Sequence, residues 1–363
     1  MPKIRKDVTV LSLILSLYLL VAYFFYLSNT NYTKYPNLLS KTHVDIRKQK
    51  KISYYSNELR YKESSRELRM TMFSTKTFEN KPQTLYEHLA FQFPYKEQRF
   101  PDYIWQFWKY EPSDSNFDSR FLPLEASWKK YHNSSIYTIV KEEYAHYLIR
   151  HLYLSIPDVI KAYNALSTSI LKANFFRYLI LFARGGIYSD INTELLLPAS
   201  NWISESIELS SIGLIIGIET DITSRPDTMQ DNSEFFRFSS KTIRAKPGHP
   251  VLREIIVNIT EEILQKKSTS KNSLKSTQFI NSALWTNIII DYLSSDAISS
   301  SKVESENISY SYLSKINKEM TIGDIVILPI TSFSLNERYI SSKTSESPQA
   351  ILRHSFKDIK ELN

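Results

Sequence analysis

LKANFFRYLILFARGGIYSDINTELL, residues 171–196, sets a helix pattern against a strand pattern across two adjacent glycines. Leu171, Phe175, Tyr178, Leu179 and Phe182 recur at intervals of three and four, so one helix face is buried, with Lys172, Asn174 and Arg177 at its polar edge. Gly185 and Gly186, two of only six glycines among 363 residues, stop that helix because glycine takes a positive φ without steric cost. Ile187 and Tyr188 restart the chain as strand formers, and the strand runs out into Asp190-Ile191-Asn192. An acidic residue at a strand end, close to an arginine on a buried helix, is a place to hold a metal ion and the phosphates of a nucleotide.

Outward from this stretch, strand and helix patterns alternate. Pro101 precedes the β-rich run Tyr103-Ile104-Trp105-Gln106-Phe107-Trp108-Lys109; Ser127–Tyr131 reads as helix, Ile136–Val140 as strand, and Tyr144–Ile149 as an amphipathic helix. Ile212–Asp221 is an apolar strand ending in Glu219 and Asp221, and a helix follows His249-Pro250. Lys266–Ser276 and Ser294–Ser309 are Ser-rich connections, and Gly323–Ser334 holds a late strand. This alternation predicts an α/β domain, a mainly parallel sheet with helices on both faces, whose ligands bind beyond the carboxyl ends of the strands.

On these residues the chain resembles glycosyltransferase family 32, most closely its fungal Golgi α-1,6-mannosyltransferases, which start or extend mannan outer chains. The family pattern is an Asp-Phe-Phe-Arg-Tyr helix followed by Gly-Gly-x-Tyr-Ser-Asp-x-Asp. Phe175-Phe176-Arg177-Tyr178 and Gly185-Gly186-Ile187-Tyr188-Ser189-Asp190 match it, with Asn174 and Asn192 where it has carboxylates. The opening strand at Trp105, the acid-ended strand at Glu219, the block Thr242–Leu252, the late strand and Arg353-His354-Ser355-Phe356 match as well, so the resemblance spans about residues 100–356. Departures fall at Arg237-Phe238-Ser239-Ser240-Lys241-Thr242-Ile243, where the family reads Gln-Phe-x-Gln-Trp-Thr-Ile, and at Asn287, where it has Asp.

The resemblance implies a GT-A-like nucleotide-sugar transferase domain that moves mannose from GDP-mannose to an N-glycan or mannan acceptor with retention of configuration. It implies Mn²⁺ or Mg²⁺ at Asp190, Asn192 and His354, a donor sugar oriented by Arg177 and Asn174 with Asp190 at the reacting centre, and a base near Trp105, with Asp190 also nucleotide-binding. For Trp105, core packing is the competing reading, and Asn192 offers a metal a carbonyl oxygen without charge. Glu219 and Asp221 are candidate acceptor-side acids, and His249, between Gly248 and Pro250, suits a turn. Asparagine at 174, 192 and 287 leaves three readings open: a working mannosyltransferase, a catalytically weak homologue serving as partner subunit of a mannosyltransferase complex, or an enzyme with altered donor or metal dependence.

The N-terminal region supplies an address. Residues 8–27 carry no charge, and about 20 residues of helix cover roughly 30 Å, the hydrocarbon thickness of a bilayer. Lys3, Arg5 and Lys6 precede them, which predicts a cytosolic tail at 1–7, a signal anchor at 8–27, a lumenal stem at 28–98 and the transferase domain at 99–363, in a single-pass type II Golgi membrane protein. Sequons at Asn31, Asn133, Asn258 and Asn307 fit a lumenal, glycosylated domain. The chain has no cysteine, so no disulfide framework supports it. Its net charge of +7 owes much to Lys34–Lys76, a basic, Tyr- and Ser-bearing stretch without a nucleic-acid motif, which reads as a solvated stem.

Overall fold

The computed structural model describes residues 81–96, 98–132, 134–221, 236–269, 282–295, 310–313, 316–333 and 350–354, all within one compact unit that begins at Tyr54. The expected anchor at 8–27, most of the stem, the sequons at Asn31, Asn133 and Asn307, most of both Ser-rich connections and Ser355-Phe356 lie outside these residues. No helix among the described residues is long and apolar enough to cross a membrane.

Helix α1 (Leu85–Gln92) lies inside the stretch expected to be stem. Thr84 accepts from the Glu87 N–H, and the Glu87 carboxylate reaches back to the Thr84 N–H, a reciprocal cap that satisfies two otherwise orphaned donors. Leu89 is fully buried, and Tyr86 receives both a hydrogen bond of 2.7 Å and the flat face of the Arg253 guanidinium. The globular domain therefore starts earlier than residue 99.

The core elements follow as β1 (Tyr103–Trp108), α2 (Leu122–Tyr131), β2 (Ile136–Lys141), α3 (Glu142–Leu152), α4 (Pro157–Ala165), α5 (Ser169–Arg184), β3 (Gly186–Ser189), β4 (Thr193–Leu195), β5 (Leu214–Asp221), β6 (Phe236–Phe238) and β7 (Thr242–Ala245). Helices α6 (Pro250–Thr269) and α7 (Ser282–Leu293) come next, then β8 (Met320–Ile322), β9 (Ile325–Leu328) and β10 (Leu352–His354). The main sheet is ordered β2-β1-β3-β7-β5-β9-β8, with β6 on β5. Strands β2, β1, β3, β5 and β9 run one way; β7 is antiparallel to both of its neighbours, and β6 and β8 are also reversed. The sheet is thus mixed with a parallel majority. β4 and β10 pair antiparallel in a separate ribbon.

Alternate residues of the strands face opposite layers. Ile104, Ile187, Ile215 and Val326 join Trp128, Trp202 and Phe333 in one core, while Phe107 meets Phe176 of α5 on the other face, ring centres 5.4 Å apart. α5 is buried on more than the one face its periodicity indicates: Phe176, Ile180 and Leu181 are also inaccessible, because α6 packs on its outer side while β1, β3 and β7 line its inner side. Each such aliphatic or phenyl group contributes about 1.5–3 kcal/mol.

The glycine turn behaves as the sequence requires. Gly185 (φ 66°) donates to Leu181 O at 2.8 Å and ends α5, and Gly186 (φ 96°) starts β3. A Cβ at Gly186 would lie 2.4 Å from the Tyr103 carbonyl oxygen, so β1 can approach only glycine here. His249 occupies the expected turn after Gly248 and caps α6, its Nδ1 accepting from the Val251 N–H at 3.2 Å. Its Nε2, which must then carry the ring proton, lies 3.2 Å from Asp324 Oδ2, and Tyr95 and Tyr292 also donate to that carboxylate. Burial alone would raise the Asp324 pKa, but the His249 ring and the two phenols outweigh it and hold the carboxyl below its ordinary range. Asn258 lies on α6, partly buried, with its amide donating to Glu254 O at 2.8 Å.

Gly186→Ala is expected to remove at least about 2 kcal/mol of stability, because it adds φ strain to the Tyr103 clash; urea denaturation of wild type and variant checks this.

Candidate functional site

β1 connects through α2 to β2 on one side, and the chain then returns through α3, α4 and α5 to β3 on the other. The connections diverge at the carboxyl ends of β1 and β3, which marks the candidate crevice, the usual ligand position of such sheets. Gln106 of β1 bridges it, donating to Asp190 O at 3.2 Å and accepting from the Tyr137 hydroxyl of β2. Asp190 follows β3 directly. Its N–H donates to Lys241 O at 2.9 Å, and its carbonyl receives the Thr193 N–H and hydroxyl at 3.2 and 2.6 Å. Trp128 of α2 donates to Thr193 O at 3.1 Å. Asp190, Ile191, Asn192 and Thr193 are all buried, so this strand-end loop is held on every side.

Arg177 reaches the loop from α5 and is only 5 % exposed. Nη1 donates to Ser240 O and Oγ, both at 2.8 Å, and Nη2 donates to Asn174 Oδ1 at 2.7 Å and Asp190 Oδ1 at 3.2 Å. The guanidinium also lies over the Tyr188 ring, 5.2 Å from its centre. Burial works against its charge, but the Asp190 carboxylate and the Tyr188 and Tyr178 phenols overcome that penalty and raise its pKa. Burial likewise keeps the Tyr188 phenol protonated and able to donate to Asp190. With both terminal nitrogens committed, Arg177 acts as a positioning residue: it ties α5, the Asp190 loop and the Ser240 turn together.

A second, more exposed pair lies beside the Asp190 loop. Lys241 Nζ lies 2.6 Å from Glu219 Oε1, with side chains 38 and 23 % exposed. His354 arrives from the distant β10, paired with Thr193 of β4. Burial, then the neighbouring Lys241 charge, pushes its pKa down to about 4, so the ring is neutral at pH 7.

The structure therefore brings Arg177, Asn174, Asp190, Asn192, Glu219 and His354 into one neighbourhood. It separates two other expected residues. Trp105 is 1 % exposed and donates its indole N–H to Gly185 O at 2.9 Å; packed beneath the glycine turn, it is a core residue with no face open to a base. Asn287 is exposed on α7 and accepts from the Tyr310 hydroxyl. The α7 residues that do serve the site are Trp285, which donates to Ser239 O at 3.2 Å, and Thr286, which accepts from the Phe238 N–H; both support the turn that carries Ser240 and Lys241.

The donors present do not fit a divalent ion held by two carboxylates. Asp190 is paired with Arg177, Asn192 brings no charge, and the described residues contain no group of three His, Asp or Glu side chains able to share a metal. Gln106, Tyr188, Ser240 and Lys241 belong to the site although the helix–glycine–strand pattern does not single them out. Gln106 was legible only as the strand residue beside Trp105, and Lys241 only as a charged residue just before a strand.

Arg177→Met should cost roughly 3–5 kcal/mol by leaving the Asp190 charge buried without a partner. Asp190→Asn added to it should recover part of that loss, which a double-mutant cycle of denaturation midpoints measures.

Residues 119–208, which include the Asp190 loop, match the model of the glycosyltransferase sugar-binding region containing the DXD motif. The chain is 36 % identical over 291 residues to the initiation-specific alpha-1,6-mannosyltransferase of Candida albicans, covering 75 % of each chain. It is 34 % identical over 258 residues to the putative glycosyltransferase HOC1 of Saccharomyces cerevisiae, covering 69 % of this chain and 63 % of that one. The initiation-specific alpha-1,6-mannosyltransferase of Schizosaccharomyces pombe is 34 % identical over 280 residues, 76 % of this chain and 66 % of that one. Identity at that level over most of its length makes the chain a member of glycosyltransferase family 32.

Proposed function

We propose that the protein is a retaining α-1,6-mannosyltransferase that moves mannose from GDP-mannose to an N-glycan mannose in Golgi outer-chain synthesis. The observation that carries this reading is the Asp190 loop, held by Arg177 at the strand ends, in a chain whose relatives are named initiation-specific alpha-1,6-mannosyltransferases. In this reading residues 8–27 anchor the chain as a single-pass type II Golgi protein and the described domain is lumenal.

Transfer breaks the bond from the sugar C1 to the diphosphate oxygen and forms one from C1 to the acceptor oxygen on the same face, the acceptor hydroxyl's proton passing to the departing diphosphate oxygen. The protein's part is to position the donor and to meet the charge that builds on the departing diphosphate. Asp190, its carboxylate oriented by Arg177 and Tyr188, accepts hydrogen bonds from donor hydroxyls. Asn174 and Ser240, both partly exposed around Arg177, supply neutral polar contacts for the sugar.

Asn192, an amide where the family pattern carries an acid, favours a second reading, in which the chain is a weak or inactive partner subunit of a mannan-synthesising complex. Detergent-solubilised full-length protein, supplied with GDP-mannose and an oligomannose acceptor, separates the two through GDP release. The transferase reading expects turnover in wild type within about tenfold of that in Asn174→Asp and Asn192→Asp; turnover confined to the Asp variants sinks it. Trp105→Phe is expected to lower stability by about 1 kcal/mol through the lost Gly185 bond, with GDP affinity unchanged in calorimetry.

A further inference from the structure

A transferase site needs positive charge for a diphosphate, and Arg177 is poorly placed to give it. Its terminal nitrogens already serve Ser240, Asn174 and Asp190, and turning it outward would strand the Asp190 carboxylate in a buried position. The divalent ion that would otherwise fill the need meets one ion-paired carboxylate and one amide in the Asp190-Ile191-Asn192 loop.

Lys241 has the properties that Arg177 lacks. Its carbonyl is fixed to the Asp190 N–H at 2.9 Å, so the residue is anchored to the strand-end loop. Its ammonium is partly exposed and 2.6 Å from Glu219. Its charge reaches the ring of His354, whose backbone pairs with Thr193 at the far end of the same loop. An ion pair this exposed is worth little net energy, and a diphosphate offers the ammonium more negative charge than a single carboxylate does. Glu219 is thus a partner that an arriving diphosphate can displace. Among the described residues Arg177 pairs with Asp190 and Lys241 with Glu219.

The geometry points to Lys241 as the cation that binds the diphosphate of the donor, exchanging Glu219 for phosphate oxygens, so that donor binding proceeds without a divalent ion. This inference rests on the reading of the crevice as a nucleotide-diphosphate site.

Calorimetry on the full-length protein with GDP and with inorganic pyrophosphate, in EDTA and in Mn²⁺, tests it. Wild type is expected to bind GDP in EDTA within about threefold of its affinity in Mn²⁺. Lys241→Gln should lose at least about tenfold for both ligands, Lys241→Arg should stay within about threefold of wild type, and Glu219→Gln should bind more tightly. Thermal midpoints show whether each variant is folded, and Lys241→Arg keeps the test valid should the glutamine variant unfold. GDP binding that demands Mn²⁺ and ignores Lys241 overturns the inference and leaves the donor reading standing. Pyrophosphate binding that depends on Lys241 without any gain from guanosine supports the cation and overturns the nucleotide reading. Absence of binding by a folded wild type overturns both.

Discussion

The contact between Arg177 and Asp190 joins two opposite charges almost shut off from water, and the placement of the site follows from it. Neither group is tolerable alone at that depth. Burying both requires the helix that carries one and the strand end that carries the other to keep a fixed spacing. The two glycines between them make the reversal tight enough, and β7 supplies the turn whose carbonyls take the remaining donors. A buried pair of this kind is weak evidence for stability in itself; here it fixes which loop lies at the mouth of the sheet.

Much of the architecture was legible because local signals agree with each other. The spacing from Leu171 to Phe182, the double glycine and the strand formers after it all describe one helix–turn–strand unit, and the coordinates contain it. The reversed direction of β7 was not legible. Strand residues such as Thr242 and Ile243 report that they lie in a sheet, and nothing in their alternation says which way the neighbour runs. The helix before β1 was hard to read for a related reason: α1 has a clear cap, but it follows a basic, polar stretch whose composition masks it.

The candidate site was legible in its acids and its arginine and less so in its context. Residue types announce chemistry, so Asp190 and Arg177 stand out, yet whether a side chain faces solvent depends on what the fold stacks over it. Trp105 and Gln106 are neighbours on one strand; alternation sends the indole into the core beneath Gly185 and the amide across the crevice. Lys241 gains its meaning only from Glu219, which is 22 positions away in number (241 − 219) and joins it through the sheet. Such pairings are properties of topology, and one-dimensional pattern carries them poorly.

The small ribbon of β4 and β10 sets the order in which the crevice is completed. His354 reaches Thr193 through a pairing that closes a very long stretch of chain, and long loops of this kind close late because their entropy must be met before the contact forms. A chain emerging from the ribosome has its Asp190 loop, its arginine and its glycine turn long before residue 354 exists. The site therefore gains its last side chain from an element made long after the Asp190 loop that it joins.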